Sequence, residues 1–349
     1  MTHETQSKPR KSKFLNTLIK LVLCLAVLAV IVFASFHYLL NKTLDKPINI
    51  QSSYLLTIQP ATSFHKFSKQ MVQLKWLDHR LWLLGYGKLY PSMVSIKAGT
   101  YKIEPKSNLR AVLNKVVSGQ EHQFSITFIE GSTFKEAIGV ISSQENITHT
   151  LQGKSIKQIS ALIDLEKDNP EGLLFPDTYA YRAGTTDIEI LKRANAKLNK
   201  ELEALWKTRA KGLPYKNAYE ALIMASIIEK ETGHVPEQPL ISSVFVNRLQ
   251  KRMRLQTDPT IIYGLGERYT GDITYANMRE KTAYNTYRIN GLPPTPIALA
   301  GLSAIKATLN PIKSDYYYFV SQGNGKHTFS KTLKEHNKAV RAYLALPQN

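Results

Sequence analysis

Cysteine is nearly absent: Cys24 is the only one in 349 residues, so neither a disulfide framework nor a cysteine-based metal site can be built. Acidic residues are scarce as well, 27 Asp and Glu against 46 Lys and Arg, a formal net charge of +19. Several common reaction frameworks are missing. There is no G-x-S-x-G elbow, no H-E-x-x-H helix and no Walker loop, which removes the usual serine hydrolases, zincins and P-loop enzymes. One long apolar run does stand out, "LVLCLAVLAVIVFASFHYLL" at residues 21–40, with no formal charge. As a helix it would span roughly 30 Å, the thickness of a bilayer core.

The charges around that run give it a direction. Lys8, Arg10, Lys11, Lys13 and Lys20 precede it and outweigh Lys42 and Lys46 after it, so the N-terminus is expected to stay cytoplasmic. The run is long for a cleaved signal peptide, and no small-x-small site follows Phe36, so an uncleaved anchor is expected. Cys24, inside the run, reads as a small apolar packing residue. The remaining chain would lie outside the cytoplasm, which argues against a nucleic-acid partner. Its positive charge then suits an acidic polymer or an anionic membrane surface.

The pattern beyond the anchor is α+β. Three stretches, "YLLTIQPATSF" (54–64), "TYKIEPKSNL" (100–109) and "SITFIEGSTF" (125–134), share a form. Each is a β-prone run, a Pro or Gly, a Ser or Thr helix cap and an amphipathic segment. The helices are expected over Ser63–Leu77, Ser107–Val117 and Thr133–Ile141. Residues 41–150 therefore read as a small membrane-proximal α+β module, and 151–349 as a larger mixed α+β domain. In the larger domain, 150–215 is mostly helical apart from "NPEGLLFPDTYAY" (169–181), and the helical pattern resumes from 216 to about 252. A loop-rich stretch rich in Tyr, Asn, Gly and Pro fills 255–300, where a site would sit on a rigid scaffold. A helix near Leu302–Leu309, a β run at 316–320, a Gly-rich turn and a C-terminal helix follow.

The densest chemical signal is "LIMASIIEKETGH", residues 222–234, which sets Glu229 and Glu231 at the end of an apolar run, ahead of the helix-stopping candidate Gly233. On an ideal helix Tyr219, Ser226 and Lys230 share a wetter face, opposite Ala221, Met224 and Ile228. Glu231 then falls about 60° from the centre of that apolar face and Glu229 about 100°. The edge this gives Glu231 is modest. A carboxyl desolvated against Met and Ile is held protonated toward neutral pH and can act as a general acid. The competing reading is a last-turn glutamate paired with Lys230 or Arg248.

One carboxyl restricts the reactions available, because most glycoside hydrolases need two. A sugar that carries its own nucleophile needs only one. In murein, the 6-hydroxyl of N-acetylmuramic acid can close a 1,6-anhydro ring while one glutamate protonates the leaving oxygen and takes the hydroxyl proton. His327 and His336, with Glu335, match no standard ligand spacing and read as hydrogen-bonding or substrate-lining groups rather than a metal site.

The stretches "EGLLFPDTY" (171–179), "ASIIEKET" (225–232), "SVFVNRL" (243–249), "MRLQTDPTIIYGLG" (253–266), "TAYNTYRINGLPPTPIA" (282–298) and "HTFSKTLKEHN" (327–337) together resemble the endolytic murein transglycosylase (YceG-like) family. That resemblance covers essentially the whole chain. It implies a single-pass inner-membrane protein with a periplasmic catalytic domain. The enzyme would cut the β-1,4 bond between N-acetylmuramic acid and N-acetylglucosamine in nascent strands, leave 1,6-anhydro-muramyl ends and set strand length. Work beside peptidoglycan synthases is implied, with no cofactor and no metal. The membrane-proximal module would be LysM-like, although three strand–helix units exceed one simple LysM. A catalytic glutamate followed by Thr or Ser corresponds to Glu231–Thr232 and leaves Glu229 in support. Candidate substrate-binding residues are Glu229, Asn247, Arg248, Gln256, Thr257, Asp258, Tyr284, Asn285 and Tyr287. Asp258 could instead cap a turn before Pro259, and Arg248 and Arg254 could meet peptide-stem carboxylates or pair with Glu229. A non-catalytic, membrane-anchored murein-binding scaffold is the competing function.

Overall fold

The computed structural model describes residues 11–345, with side chains from residue 14 onward, so the basic residues Lys8 and Arg10 lie outside the described residues. It is mixed α+β and divides into two compact units, one running up to His122 and the other starting at Gln123. The boundary expected at residue 150 is therefore not where the packing divides. The third strand–helix segment belongs with the second unit.

In the first unit, α1 (Lys11–Asp45) is followed by β1 (Tyr54–Ile58), α2 (Phe64–Gln73), α3 (Leu81–Leu89), β2 (Gly99–Ile103) and α4 (Leu109–Ser118). Residues Phe14–Asp45 of α1 are long and apolar enough to cross a membrane. The helix does not end with its apolar run, however. Leu40 and Leu44 in its last turns are fully buried in the unit's core with Leu56, Met71, Tyr101 and Leu113. At its end Asp45 accepts from Arg110 Nε at 2.7 Å. Strands β1 and β2 pair antiparallel with Leu56 opposite Tyr101. Ser63 caps α2 as expected, by accepting from Lys66 N at 3.2 Å. The cap of α4 is Asn108, one residue later than expected, accepting from Ala111 N at 2.8 Å. Sequence periodicity also missed α3, whose residues are apolar on nearly every side and so show no amphipathic stripe.

The second unit pairs β3 (Phe124–Thr127) with the distant β4 (Thr178–Tyr181), antiparallel. Helices α5 (Phe134–Ser142), α6 (Ile156–Leu162) and α7 (Asp187–Lys207) each open on a capping box, at Thr133/Glu136, Ser155/Gln158 and Thr186/Glu189. The unit continues with α8 (Ala218–Glu231), α9 (Gln238–Gln250), α10 (Asp258–Leu265), α11 (Tyr275–Arg279) and α12 (Leu302–Leu309), then the β5–β6 hairpin (Tyr318–Ser321, His327–Ser330) and α13 (Leu333–Leu344). The single helical stretch expected over 216–252 is two helices. Their break begins at Thr232, which is extended and whose hydroxyl accepts from His234 N at 3.0 Å.

Helix α8 is the axis of this unit, packed against α7, α9, α10 and α12. Every residue from Ala221 to Ile228 is buried, Ser226 included, so the wetter face expected at Ser226 does not exist there. Its hydroxyl is satisfied instead, donating to Ile223 O and accepting from Ile297 N at 3.0 Å. Burying Leu222, Ile223, Met224, Ile227 and Ile228 contributes about 1.5–3 kcal/mol per side chain. That anchors a helix whose last turn carries the two carboxyls.

Candidate active site

Glu231 is the last residue of α8, partly buried, and its carboxyl faces the segment that leads into α10. Thr257 donates its hydroxyl proton to Glu231 Oε1. Thr257 stands at the N-cap position of α10 but makes no cap bond there, so its hydroxyl serves the carboxyl rather than the helix. Two further buried threonines hold it in place. Thr257 N donates to Thr286 Oγ1 at 3.0 Å, Thr260 Oγ1 donates to Thr257 O at 2.8 Å, and the Thr260 and Thr286 hydroxyls meet at 2.9 Å.

Burial raises the Glu231 pKa to about 7, against the Thr257 bond that lowers it; Asp258 raises it further and the Arg248 charge lowers it. Near neutral pH this carboxyl is about half protonated, the condition in which one group can both give and take a proton. The shift from 4.5 to about 7 corresponds to about 3 kcal/mol against the charged form. The apolar burial along α8 offsets that amount several times over.

Around Glu231 the expected residues separate into two sets. Gln256, Asp258 and Tyr287 stay at the accessible rim. Gln256 is exposed and left-handed, with φ 51. Asp258 is exposed and accepts from the Tyr287 hydroxyl at 2.8 Å. Tyr284, partly buried, meets the Thr295 hydroxyl at 2.8 Å and tilts against the Tyr263 ring, centroids 4.9 Å apart.

The others face inward. Asn247 gives its amide protons to Ser314 O at 2.8 Å and Tyr316 O at 2.9 Å, clipping α9 to the segment before β5. Asn285 is 1% exposed and donates to the carbonyls of Asn277, Met278 and Glu280. Arg248 is 8% exposed, bonds Tyr317 O at 2.6 Å and Leu255 O at 2.7 Å, and stacks on Tyr318. All three spend donors on backbone carbonyls and brace the loops that carry the rim. Arg254 bonds Tyr287 O at 3.1 Å rather than Glu229.

Glu229 lies in a different environment. Its Oε2 accepts from Gly301 N, the N-cap of α12, at 2.9 Å. Burial raises its pKa, the Gly301 bond opposes that, and Glu130 nearby adds to it. Neighbouring Lys230 donates to Gly131 O at 3.1 Å. Arg248 and Arg254 bond backbone carbonyls instead of Glu229.

Sequence reading singled out neither the threonine pair nor Glu171. Glu171 is 5% exposed and accepts from Phe134 N at 2.9 Å, Gly172 N at 3.2 Å and the Tyr263 hydroxyl at 3.2 Å. Burial raises its pKa against these bonds. Its position in "EGLLFPDTY" was the available signal. The following Gly172 has φ +72, and a Cβ there would lie 2.2 Å from Pro296 Cβ, so a glycine is required where the 171–176 turn meets the 293–298 loop. His327 Nδ1 pairs with Glu237 at 2.8 Å, and His336 stacks on Tyr318, centroids 5.2 Å apart. Among the described residues no three His, Cys, Asp or Glu side chains are grouped to hold a metal.

A family model described as YceG-like matches residues 56–342. A Bacillus subtilis protein named endolytic murein transglycosylase is 34% identical over 280 residues, covering 73% of this chain and 75% of that protein. A Streptococcus pneumoniae protein of the same name is 24% identical over 361 residues, covering 93% of this chain; the chain spans 65% of that protein's length. Among solved structures, a Listeria monocytogenes protein described as YceG-like matches with a TM-score of 0.51 and 30% identity, over 83% of this chain and 100% of that one.

Proposed function

Because the chain belongs to the YceG-like family, we propose that it is an endolytic murein lytic transglycosylase in which Glu231 alone moves the proton in both directions. The observation that carries this reading is the Glu231 carboxyl, pushed up to about 7 and held by a single side-chain donor, Thr257. Protonated Glu231 gives its proton to the oxygen that links N-acetylmuramic acid to the next N-acetylglucosamine. The bond from the muramic anomeric carbon to that oxygen breaks. The muramic 6-hydroxyl oxygen bonds to the same carbon and releases its proton to the Glu231 carboxylate. No water is consumed and the carboxyl ends protonated, as it began. Asp258, Tyr287 and Gln256, at the rim, are the groups available to hold the sugars.

In the same reading α1 anchors the protein in the inner membrane with its N-terminus cytoplasmic, and the second unit works in the periplasm on nascent strands, beside peptidoglycan synthases, setting strand length. The β1–β2 pair with helices packed on it supports a LysM-like label for the first unit. Digestion of purified glycan strands in ¹⁸O-water, with mass spectrometry of the ends, tests the chemistry. Anhydro-muramyl ends free of ¹⁸O are expected; reducing ends carrying ¹⁸O would indicate a hydrolase. Intact strands under every condition would favour the binding-scaffold alternative.

A further inference from the structure

We propose that α3 lies in the outer interface of the bilayer, so that the first unit is held by one helix that crosses the membrane and a second that rests in it. The inference takes α1 as a membrane anchor, as proposed above.

The sequence of α3, LWLLGYGKL, contains one charged residue. Its inner face, Leu83, Tyr86 and Gly87, is buried in the first unit. Yet its outer face is apolar too: Leu81 is 70% exposed, Trp82 and Leu84 are half-buried, and Lys88 is the one charge among them. The short turn that follows adds exposed Tyr90 and Val94. A helix apolar all round is one surrounded by apolar material, and here protein covers only one side.

Its position against α1 identifies what covers the other. Trp82 stacks on Phe36, ring centroids 5.9 Å apart. Gly85 allows the approach, since a Cβ there would fall 2.7 Å from the Phe36 ring. Leu89 and Tyr90 close a groove with Phe33, Ala34 and His37. Lys20 sets the inner limit of the α1 apolar run and Lys42 the outer one. Phe36 is six residues inside Lys42, hence about 9 Å along the helix. That falls within the 5–10 Å depth at which amphipathic helices sit at the headgroup–acyl boundary. There is no linker to lift the unit away, because Leu40 and Leu44 are already in its core. Exposed Arg80 and Lys88 flank the apolar face and suit anionic headgroups, with the Lys88 stem able to lie along it.

The test uses the full chain with Cys24→Ala and a fluorescent NBD label on one new cysteine, Leu81→Cys or Ile31→Cys, in protein-free vesicles of phosphatidylethanolamine and phosphatidylglycerol. Both positions are exposed, so labelling leaves the packing intact. The label at position 81 is expected to lose most of its fluorescence to a lipid nitroxide just below the headgroups and to resist aqueous iodide. The label at 31 should respond to a nitroxide deep in the acyl chains. Quenching at 31 with position 81 open to iodide overturns the inference, keeps the anchor reading and leaves α3 for a protein partner. No lipid quenching at either position overturns both.

Discussion

The two sides of the last turn of α8 hold two partly buried carboxyls that differ in their partners. Glu229 faces the Gly131 turn and the start of α12, where a backbone N–H meets it. Glu231 faces the 255–287 loops, where a side-chain hydroxyl meets it and a second carboxylate, Asp258, stands beside it. Both are pushed up by desolvation first. Burial by itself therefore does not mark a proton carrier. A carboxyl that fixes a helix start cannot move its bond without unpinning the helix, whereas one held by a threonine hydroxyl next to an accessible rim can exchange that bond for a substrate.

The largest effect expected from this contrast is on turnover. Glu231→Gln keeps an acceptor for Thr257 but cannot carry a proton, and should lower the rate by about 10²–10⁴-fold with the fold retained. Glu229→Gln also keeps its acceptor and should lower the rate less than about ten-fold. Glu229→Ala is different again, because the Gly301 N–H is left without a partner, and should destabilise by about 1–3 kcal/mol in thermal or urea unfolding.

The stability of the Glu231 side should also depend on pH. The folded pKa, about 7, lies above the ordinary 4.5, so the folded state binds more protons between those values and loses stability as pH rises through them. Glu231→Gln removes that loss. The difference in unfolding free energy between variant and parent should grow by up to about 3 kcal/mol from pH 4 to pH 8, and a flat difference would contradict the shifted carboxyl.

Smaller effects should appear as displaced pH–rate profiles. Glu231 must be protonated to act as the acid, so activity falls as pH rises past about 7. Thr257→Val removes the bond that lowers the pKa and should move this alkaline limb upward. Asp258→Asn removes the neighbouring charge that raises it and should move the limb downward, with the Tyr287 hydroxyl still given an acceptor. Equal displacement of both variants in one direction would break the assignment of these neighbours.

Much of this arrangement is legible in the residues themselves. The Ser63 and Thr133 caps, α12 and the β run that becomes β5 all follow from local rules of spacing and capping. What sequence could not supply lies in long-range contacts. Asn247 and Arg248 look like sugar-binding groups by type, yet the carbonyls of Ser314, Tyr316 and Tyr317, from a segment far along the chain, occupy their donors; Asn285 spends its amide on the nearby carbonyls of Asn277, Met278 and Glu280. Ser226 by type marks a wet face, but Ile297 N reaches it from 71 residues away. Helix α3 has no legible periodicity because it lacks a polar face, and Glu171 has no local signal of its partners because only the fold brings Phe134 N and Tyr263 to it. The pairing of β3 with β4, across the whole of α5 and α6, likewise has no local signature.

The contrast between the two carboxyls is tested most directly by ¹³C NMR titration of glutamate side-chain carboxyls in the parent, Glu231→Gln and Glu229→Gln proteins. A resonance with its midpoint at about 7 is expected in the parent, retained in Glu229→Gln and lost in Glu231→Gln. If Glu231 instead titrates near the ordinary 4.5, or the resonance near 7 disappears with Glu229→Gln, the assignment of Glu231 as the proton carrier is contradicted.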